Sequence, residues 1–152
     1  IRMNQTRANQ IRGKSLETQL DRLCERVNAM GYHAHKNHPK RLGNGTRVQG
    51  EPFDYEILLP NWHACFDAKE CHDTKWHMQK KDIIQTENLK HCKNAGCEAF
   101  FLIYFFHTKQ LVKVDVDEVI NVLQQGSKTV GAEKGGEFNI GLIIDKAANE
   151  LH

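Results

Sequence analysis

Two acidic residues and a lysine on neighbouring extended segments form the part of this 152-residue sequence best suited to chemistry. Asp54 lies in the run 53–59, and Asp67 and Lys69 lie in the run 63–70. Both runs have the composition and length of strands. Because successive side chains of a strand alternate between faces, Asp67 and Lys69 project from one face and Glu70 from the other. The spacing therefore predicts a carboxylate and an ammonium group side by side.

The short segment Pro60-Asn61-Trp62 separates the two runs and predicts the turn of an antiparallel hairpin. Such a hairpin would bring Asp54 within reach of Asp67. Two adjacent carboxylates repel each other, and an oxygen-rich site of this kind suits Mg²⁺ or Mn²⁺. The ion can bind a phosphate and activate water, while the lysine stabilises developing negative charge. The chemistry suited to such a site is metal-assisted phosphodiester hydrolysis, although a D-x-K motif taken by itself is more often a surface salt bridge in an ordinary hairpin.

The elements that must position these residues follow an order of helix, strands, helix and strand. Leucines at the helical period predict an amphipathic helix over 15–30 that ends at Gly31. The remaining pattern predicts strands at 32–36, 53–59, 63–70, 99–106 and 111–114, and helices at 76–95 and 115–124. We therefore expect a single α/β domain over 1–152 with a central mixed sheet flanked by helices. The glycine-rich segment 126–152 is expected to be a C-terminal extension.

Positive charge is concentrated in the first third of the chain. Residues 1–50 contain ten Lys and Arg against three acidic residues, whereas the remainder contains eleven against sixteen. The net charge of +2 conceals this asymmetry. Residues 1–12 are expected to be a flexible basic arm, and 36–52 a protruding basic loop or stalk. Such a surface suits contact with phosphates, and the candidate DNA-binding residues are Arg12, Lys14, Lys36, Lys40, Arg41 and Arg47.

The five cysteines form no C-x-x-C pair, which is typical of reduced thiols in a cytosol. No apolar run approaches the length of a membrane-spanning helix. We therefore expect a cytoplasmic protein without a membrane partner.

Taken in order, the motifs resemble those of the PD-(D/E)XK nucleases, and within them the RecU-type Holliday-junction resolvases. The resemblance spans about residues 12–125 and rests on the following positions: Arg12-Gly13, Leu16-Glu17, Tyr32, Lys36, Pro39, Asp54, Asp67-Ala68-Lys69-Glu70 and Gln85. It implies a restriction-endonuclease-like core and a metal-dependent, structure-selective endodeoxyribonuclease that resolves four-way junctions in DNA recombination.

The resemblance also implies roles for individual residues. Asp54, Asp67 and Gln85 would hold the ion, Lys69 would stabilise the transition state, and Glu17 would complete the catalytic set from the first helix. Two positions depart from the family pattern. Asp67 stands where these resolvases commonly have Glu, and Pro52 stands where they often have a metal-site Thr, so one ligand is unassigned.

For the whole molecule, the resemblance implies branched DNA as substrate and Mg²⁺ as cofactor, with Mn²⁺ as an alternative. It further implies a stalk at 36–52 that enters the junction. Two symmetric cuts suit a homodimer, because a twofold pair supplies two active sites. The source would be a bacterium, or a phage acting in a bacterial host. A PD-(D/E)XK nuclease with another DNA target, a catalytically inactive DNA-binding module and a protein-protein adaptor are the alternatives.

Overall fold

The computed structural model describes residues 5–37, 40–41, 47–48 and 53–149, with side chains described for 16–37 and 53–149. The helices are α1 (Gln5–Ala29), α2 (Lys80–Asn94), α3 (Val116–Gln124) and α4 (Gly141–Asn149), with a 3-10 turn at Ala132–Lys134. The strands are β1 (His33–Lys36), β2 (Lys40–Arg41), β3 (Arg47–Val48), β4 (Tyr55–Leu59), β5 (Trp62–Cys71), β6 (Lys75–His77), β7 (Glu98–Phe105), β8 (Gln110–Asp115), β9 (Thr129–Gly131) and β10 (Gly136–Glu137).

Six of the strands form one sheet in the order β1-β4-β5-β7-β8-β10. Strands β5 and β7 run parallel, and the other neighbouring pairs are antiparallel. Strand β7 is central because its run of apolar residues is buried on both faces, as the sequence predicted. The expected mixed sheet flanked by helices is therefore observed.

The two faces of the sheet are covered by different helices. Helices α1 and α4 pack on one face, where Phe66 stacks between Tyr55 and Phe100 with ring centroids 5.1 and 5.0 Å away. Helices α2 and α3 cover the other face, where Leu89 and Phe101 are fully buried. Burial of an aromatic or leucine side chain stabilises the fold by about 2 kcal/mol, so these two layers hold the sheet rigid.

Strand β5 extends beyond β4 at the end of the sheet that carries the candidate site. The register pairs Tyr55 with Phe66, so Asp54 lies opposite Asp67 at the point where the β4–β5 pairing stops. From Asp67 to Cys71, β5 continues beside β7 alone. The predicted hairpin is thus formed, and its end leaves room beside β5 for side chains from other elements.

Three predicted elements differ from the structure. Helix α1 begins at Gln5 rather than near residue 15, so residues 5–12 of the predicted flexible arm are helical; the chain there is rich in Gln, Arg and Ala, which favour helix. Helix α2 begins at Lys80 rather than 76, because residues 75–77 form β6 and pair with β9. The unassigned tail supplies β9, β10 and α4, and long-range pairing of this kind leaves little local sequence signal.

Of the predicted stalk, 36–52, the structure describes Lys36, Asn37 and the two short strands β2 and β3. Strands β2 and β3 pair antiparallel, Lys40 with Val48 and Arg41 with Arg47, as a ribbon separate from the main sheet. The described pieces therefore form a short two-stranded ribbon, and the protrusion of segment 36–52 stays a prediction. Within the described residues, no helix combines the length and apolarity needed to cross a membrane.

Candidate active site

Asp54 and Asp67 contact each other across the end of the β4–β5 pair. The main-chain N–H of Asp54 donates a hydrogen bond to Oδ1 of Asp67 over 2.7 Å. The main-chain N–H of Ala68 donates in return to Oδ2 of Asp54 over 3.2 Å. Each carboxylate is thus oriented by the backbone beside the other, so the hairpin itself brings the two acids together.

Burial makes the Asp67 carboxyl group difficult to ionise. Its side chain is only 1% exposed. Desolvation, followed by repulsion from Asp54, raises the pKa of Asp67 to about 7, although Lys69 and the hydrogen bond from Asp54 act in the opposite direction. A carboxyl group of this kind gains most from a nearby cation, because the ion stabilises its charged form.

Lys69 lies on the same face of β5 as Asp67 but pairs with a different aspartate. Its Nζ is 2.9 Å from Oδ1 of Asp82 and 3.9 Å from Oδ2 of Asp67, which is too long for a hydrogen bond. The ring of Trp76 lies beside the ammonium group, with its centroid 6.0 Å from Nζ. We refer to Asp54, Asp67, Lys69 and Asp82 as the carboxylate pocket.

Asp82 belongs to this pocket but was missed in the sequence. It is buried at the start of α2, where its Oδ2 accepts a hydrogen bond from the main-chain N–H of Gln79 over 2.8 Å. The spacing Gln79-x-x-Asp82 is typical of the first turn of a helix. It would have identified Asp82 as a residue of the helix start if this helix had not been predicted to begin at residue 76. Its approach to Lys69 depends on how α2 packs on the sheet, which has no local signal.

Gln85, the third predicted metal ligand, lies one turn after Asp82 on α2. Its side chain is half-buried, and its Oε1 accepts a hydrogen bond from Nδ2 of Asn88 over 3.4 Å. Residues three apart share one side of a helix, so Gln85 and Asp82 face similar directions.

Glu17 lies on α1, which packs on the opposite face of the sheet from α2. Its carboxylate is mostly exposed and forms an ion pair with Lys36, so two predicted site residues contact each other. Glu17 and Asp54 both contribute to raising the pKa of Tyr55, after the larger effect of burial. The structure therefore places Glu17 at the Lys36 edge of the sheet rather than in direct contact with Asp67.

The predicted DNA-binding residues are described only in part. Lys36 lies at the end of β1, where its Nζ is 5.7 Å from the centroid of the Tyr55 ring. Arg12 and Lys14 lie in α1, and Lys40, Arg41 and Arg47 lie in β2 and β3, but their side chains are outside the described residues. Pro52 is also outside them.

The donor atoms of the carboxylate pocket fit a hard divalent cation. Among residues with described side chains, no group of three or more His, Cys, Asp and Glu has the arrangement of a complete metal site. The buried carboxylate of Asp67 and the half-buried carboxylate of Asp54 beside it nevertheless suit Mg²⁺, which commonly takes one or two protein carboxylates and completes its shell with water and phosphate. A soft-metal site would require thiolate or imidazole ligands instead.

Comparison with known proteins identifies the family. The family model described as Recombination protein U, RecU, matches residues 26–134. The chain belongs to the RecU family. The match includes Asp54, Asp67, Lys69, Asp82 and Gln85, and it begins after Glu17. RecU proteins are Holliday-junction resolvases, so the chain is an endonuclease that acts on branched DNA, and the predicted resemblance, activity and enzyme class are confirmed. Nucleases of this family depend on a divalent metal ion.

This RecU-family chain is similar to two solved structures, of which the first supports its fold. It is similar to Hjc from Archaeoglobus fulgidus, a Holliday junction resolvase from an archaeal hyperthermophile, with a TM-score of 0.52 and 13% identity over 86% of this chain and 98% of that one. It is also similar to D212, a nuclease from a fusselovirus, with a TM-score of 0.46 and 11% identity over 97% and 95% of the two chains. No curated protein sequence matches the chain. The likeness to Hjc confirms the predicted restriction-endonuclease-like fold.

Proposed function

We propose that the carboxylate pocket is the catalytic centre with which this RecU-family protein cuts Holliday junctions. The contact between Asp54 and Asp67 carries the proposal. In it the main-chain N–H of Asp54 donates to the almost completely buried carboxylate of Asp67, so the two acids are adjacent. Burial and then the charge of Asp54 raise the pKa of Asp67 to about 7. A structural role alone does not require two acids in this arrangement, because buried like charges destabilise a fold unless a cation compensates them.

Asp54 and Asp67 would hold Mg²⁺, with Mn²⁺ as an alternative. When bound, the ion would activate water and neutralise charge on the scissile phosphate. Gln85, which lies on the neighbouring helix, is retained as the third proposed ligand. Asp67 would lose its proton at the raised pKa before it could serve as a ligand, so activity should increase with pH towards about 7.

Lys69 would stabilise the negative charge that develops on the phosphate. Its side chain projects from the same face as Asp67 and is 20% exposed, so the ammonium group would reach a phosphate oxygen above the pocket. Donors aimed at developing charge typically contribute a factor of about 100 or more in rate. Glu17 enters the proposal as the partner of Lys36, and its direct catalytic role remains a prediction.

The substrate would be bound by a homodimer through its basic residues. Lys36 would contact phosphates together with the other predicted residues, Arg12, Lys14, Lys40, Arg41 and Arg47. These contacts would give affinity that falls steeply with salt and carries no base sequence information. A twofold dimer would place two pockets on opposed strands of a four-way junction, in the cytoplasm of a bacterium or of a bacterium infected by a phage.

The decisive experiment compares Asp67→Asn with the unmodified protein on synthetic four-way junctions and linear duplexes. With Mg²⁺, we expect the unmodified protein to cut junctions in preference to duplexes, and Asp67→Asn to cut at least about 1000-fold more slowly while still binding junctions. Asp145→Asn, an exposed change on α4, is the matched control and should cut normally. Wild-type rates for Asp67→Asn would refute the assignment of the pocket.

The same assay separates the alternative functions. Equal cleavage of junctions and duplexes would indicate a nuclease with another DNA target. Junction binding without cleavage in Mg²⁺ or Mn²⁺ would indicate a DNA-binding module. Sedimentation equilibrium tests the dimer separately, and a monomer at all concentrations, with and without junction DNA, would contradict that part of the proposal.

A further inference from the structure

Lys69 has two aspartates within reach and lies against only one of them. Its Nζ is 2.9 Å from Asp82 and 3.9 Å from Asp67. Asp67 is two residues away on the same strand face, so the flexible lysine stem could bring the ammonium group onto its carboxylate without any movement of the backbone. The observed preference for Asp82 therefore requires a reason.

Asp82 is held firmly in position. Its Oδ2 accepts a hydrogen bond from the main-chain N–H of Gln79, and its main-chain carbonyl accepts one from the hydroxyl of Thr86 over 2.8 Å. The side chain is about 96% buried, so it has little freedom to rotate. Its other oxygen, Oδ1, is also buried and accepts no well-directed hydrogen bond among the described residues, although Nζ of Lys69 lies 2.9 Å away. Asp82 is thus a fixed negative charge whose remaining oxygen is directed at the lysine.

An ammonium group on Asp67 would interfere with metal binding. A cation and a divalent ion compete for the same carboxylate oxygens, and their mutual repulsion adds to the competition because the pocket is buried. Asp82 removes this competition because it offers the lysine a closer, fixed partner. The lysine then remains beside the pocket without neutralising a metal ligand.

We propose that Asp82 is a positioning residue that draws Lys69 away from Asp67 and so keeps the Asp67 carboxylate available to the divalent ion. This inference rests on the proposed function, because it takes Asp67 to be a metal ligand. It goes beyond that function because it assigns a role to Asp82, which the proposed function leaves without one. Removal of the Asp82 charge should let Lys69 move onto Asp67 and weaken metal binding.

A purely structural role for Asp82 is the competing explanation, and the chain contains a control for it. Asp115 is the cap of α3; its Oδ2 accepts a hydrogen bond from the main-chain N–H of Asp117 and pairs with Lys93 over 2.7 Å. Asp115 therefore combines a helix start with a lysine, as Asp82 does, but away from the carboxylate pocket. Asp115→Asn therefore measures how the loss of a charged residue at a helix start affects Mn²⁺ binding when that residue lies outside the carboxylate pocket.

The test is a double-mutant cycle read by metal binding without DNA. Binding of Mn²⁺ alone would be measured by electron paramagnetic resonance for the unmodified protein, Asp82→Asn, Lys69→Met and the double variant. We expect Asp82→Asn to weaken Mn²⁺ binding about tenfold and Asp115→Asn to leave it unchanged. Lys69→Met should strengthen Mn²⁺ binding in both backgrounds. The gain should be at least fivefold larger in Asp82→Asn than in the unmodified protein, because only in Asp82→Asn does the ammonium group compete for Asp67.

Equal effects of Lys69→Met in the two backgrounds would overturn the proposal, since Asp82 would then act on the ion only through its own charge. Unchanged Mn²⁺ binding in Asp82→Asn would also overturn it. If Asp82→Asn does not fold by circular dichroism, Asp82→Ser replaces it in the cycle, and failure of both to fold overturns the proposal in favour of a structural role. Asp67→Asn is measured alongside: retention of full Mn²⁺ affinity by this variant would defeat the proposed function itself, whatever the cycle shows.

Discussion

Two clusters of aspartates and lysines in this protein differ in charge balance and in burial. The carboxylate pocket has three aspartates and one lysine, with Asp67 and Asp82 almost fully buried. A second cluster, which we call the surface network, joins α2 to the start of α3 with two lysines and two aspartates: Lys90, Lys93, Asp115 and Asp117. Its side chains are between 33% and 45% exposed, and its ion pairs are 2.7 to 2.8 Å long.

The pKa directions show what the charge balance does. In the surface network the lysines lower the pKa of Asp117, and hydrogen bonds from Lys93 to Asp115 and Asp117 raise the pKa of Lys93. Lys93 and Asp117 are therefore both stabilised in their charged forms. In the carboxylate pocket, burial and Asp54 raise the pKa of Asp67 instead. The network is internally neutral, whereas the pocket has a surplus of negative charge that a bound cation would compensate.

The largest expected effect is on how the free energy of unfolding of the metal-free protein depends on pH. The folded pKa of Asp67 lies above its usual value near 4, so its contribution to stability is fully present below about pH 4 and is lost as pH rises through about 7. We expect the free energy of unfolding, measured in urea, to decrease by about 4 kcal/mol over this pH range. This decrease should be absent in Asp67→Asn and should be reversed by Mg²⁺.

Asp117 should behave in the opposite way. Its folded pKa is lowered, so its contribution is present above about pH 4 and is lost as pH falls below that value. The free energy of unfolding that depends on Asp67 should fall as the pH rises. If it fell as the pH was lowered instead, the two clusters would not differ as described.

A smaller effect is expected when the lysines of the two clusters are compared in catalysis. Lys69→Met should slow single-turnover junction cleavage about 100-fold, because it removes the group that we propose stabilises charge on the phosphate, while junction affinity changes little. Lys93→Met, its counterpart in the surface network, should cleave at the rate of the unmodified protein. Equal rates for the two variants would remove the functional difference between the clusters.

The smallest effect concerns salt. Exposed ion pairs contribute about 0.5–1 kcal/mol and are screened by ions. We therefore expect Asp115→Asn to lower the free energy of unfolding by about this amount at low ionic strength and by much less in 1 M NaCl. The stability change caused by Asp82→Asn should vary little with salt, because its ion pair is buried. Urea melts at the two salt concentrations provide the measurement.

Sequence patterns with a short period were interpreted correctly in most places. Alternation along β5 predicted that Asp67 and Lys69 share a face, and the turn before it predicted the hairpin that brings in Asp54. The unbroken apolar run predicted the central strand β7. Gly31, with a φ of +94°, ends the turn after α1 as expected for a residue that tolerates the left-handed region.

Contacts between distant segments were not predictable in this way. Strand β6 was included in a helix because three residues carry too weak a pattern, and its pairing with β9 joins positions more than fifty residues apart. The partner of Lys69 was missed for the same reason. Neither residue type nor spacing predicts which of several acidic side chains a lysine will pair with after a helix packs on the sheet.

The local order of residues determined which groups form the candidate site: two acids and an amine lie at one end of a hairpin, because side-chain alternation and a tight turn act over a few residues. The packing of α2 against β5 decided the rest. It brought Asp82 to Lys69, and the packing of α1 on the other face of the sheet paired Glu17 with Lys36. Side-chain contacts between distant segments depend on the apolar surface that whole helix faces bury, and no short segment of the sequence predicts them.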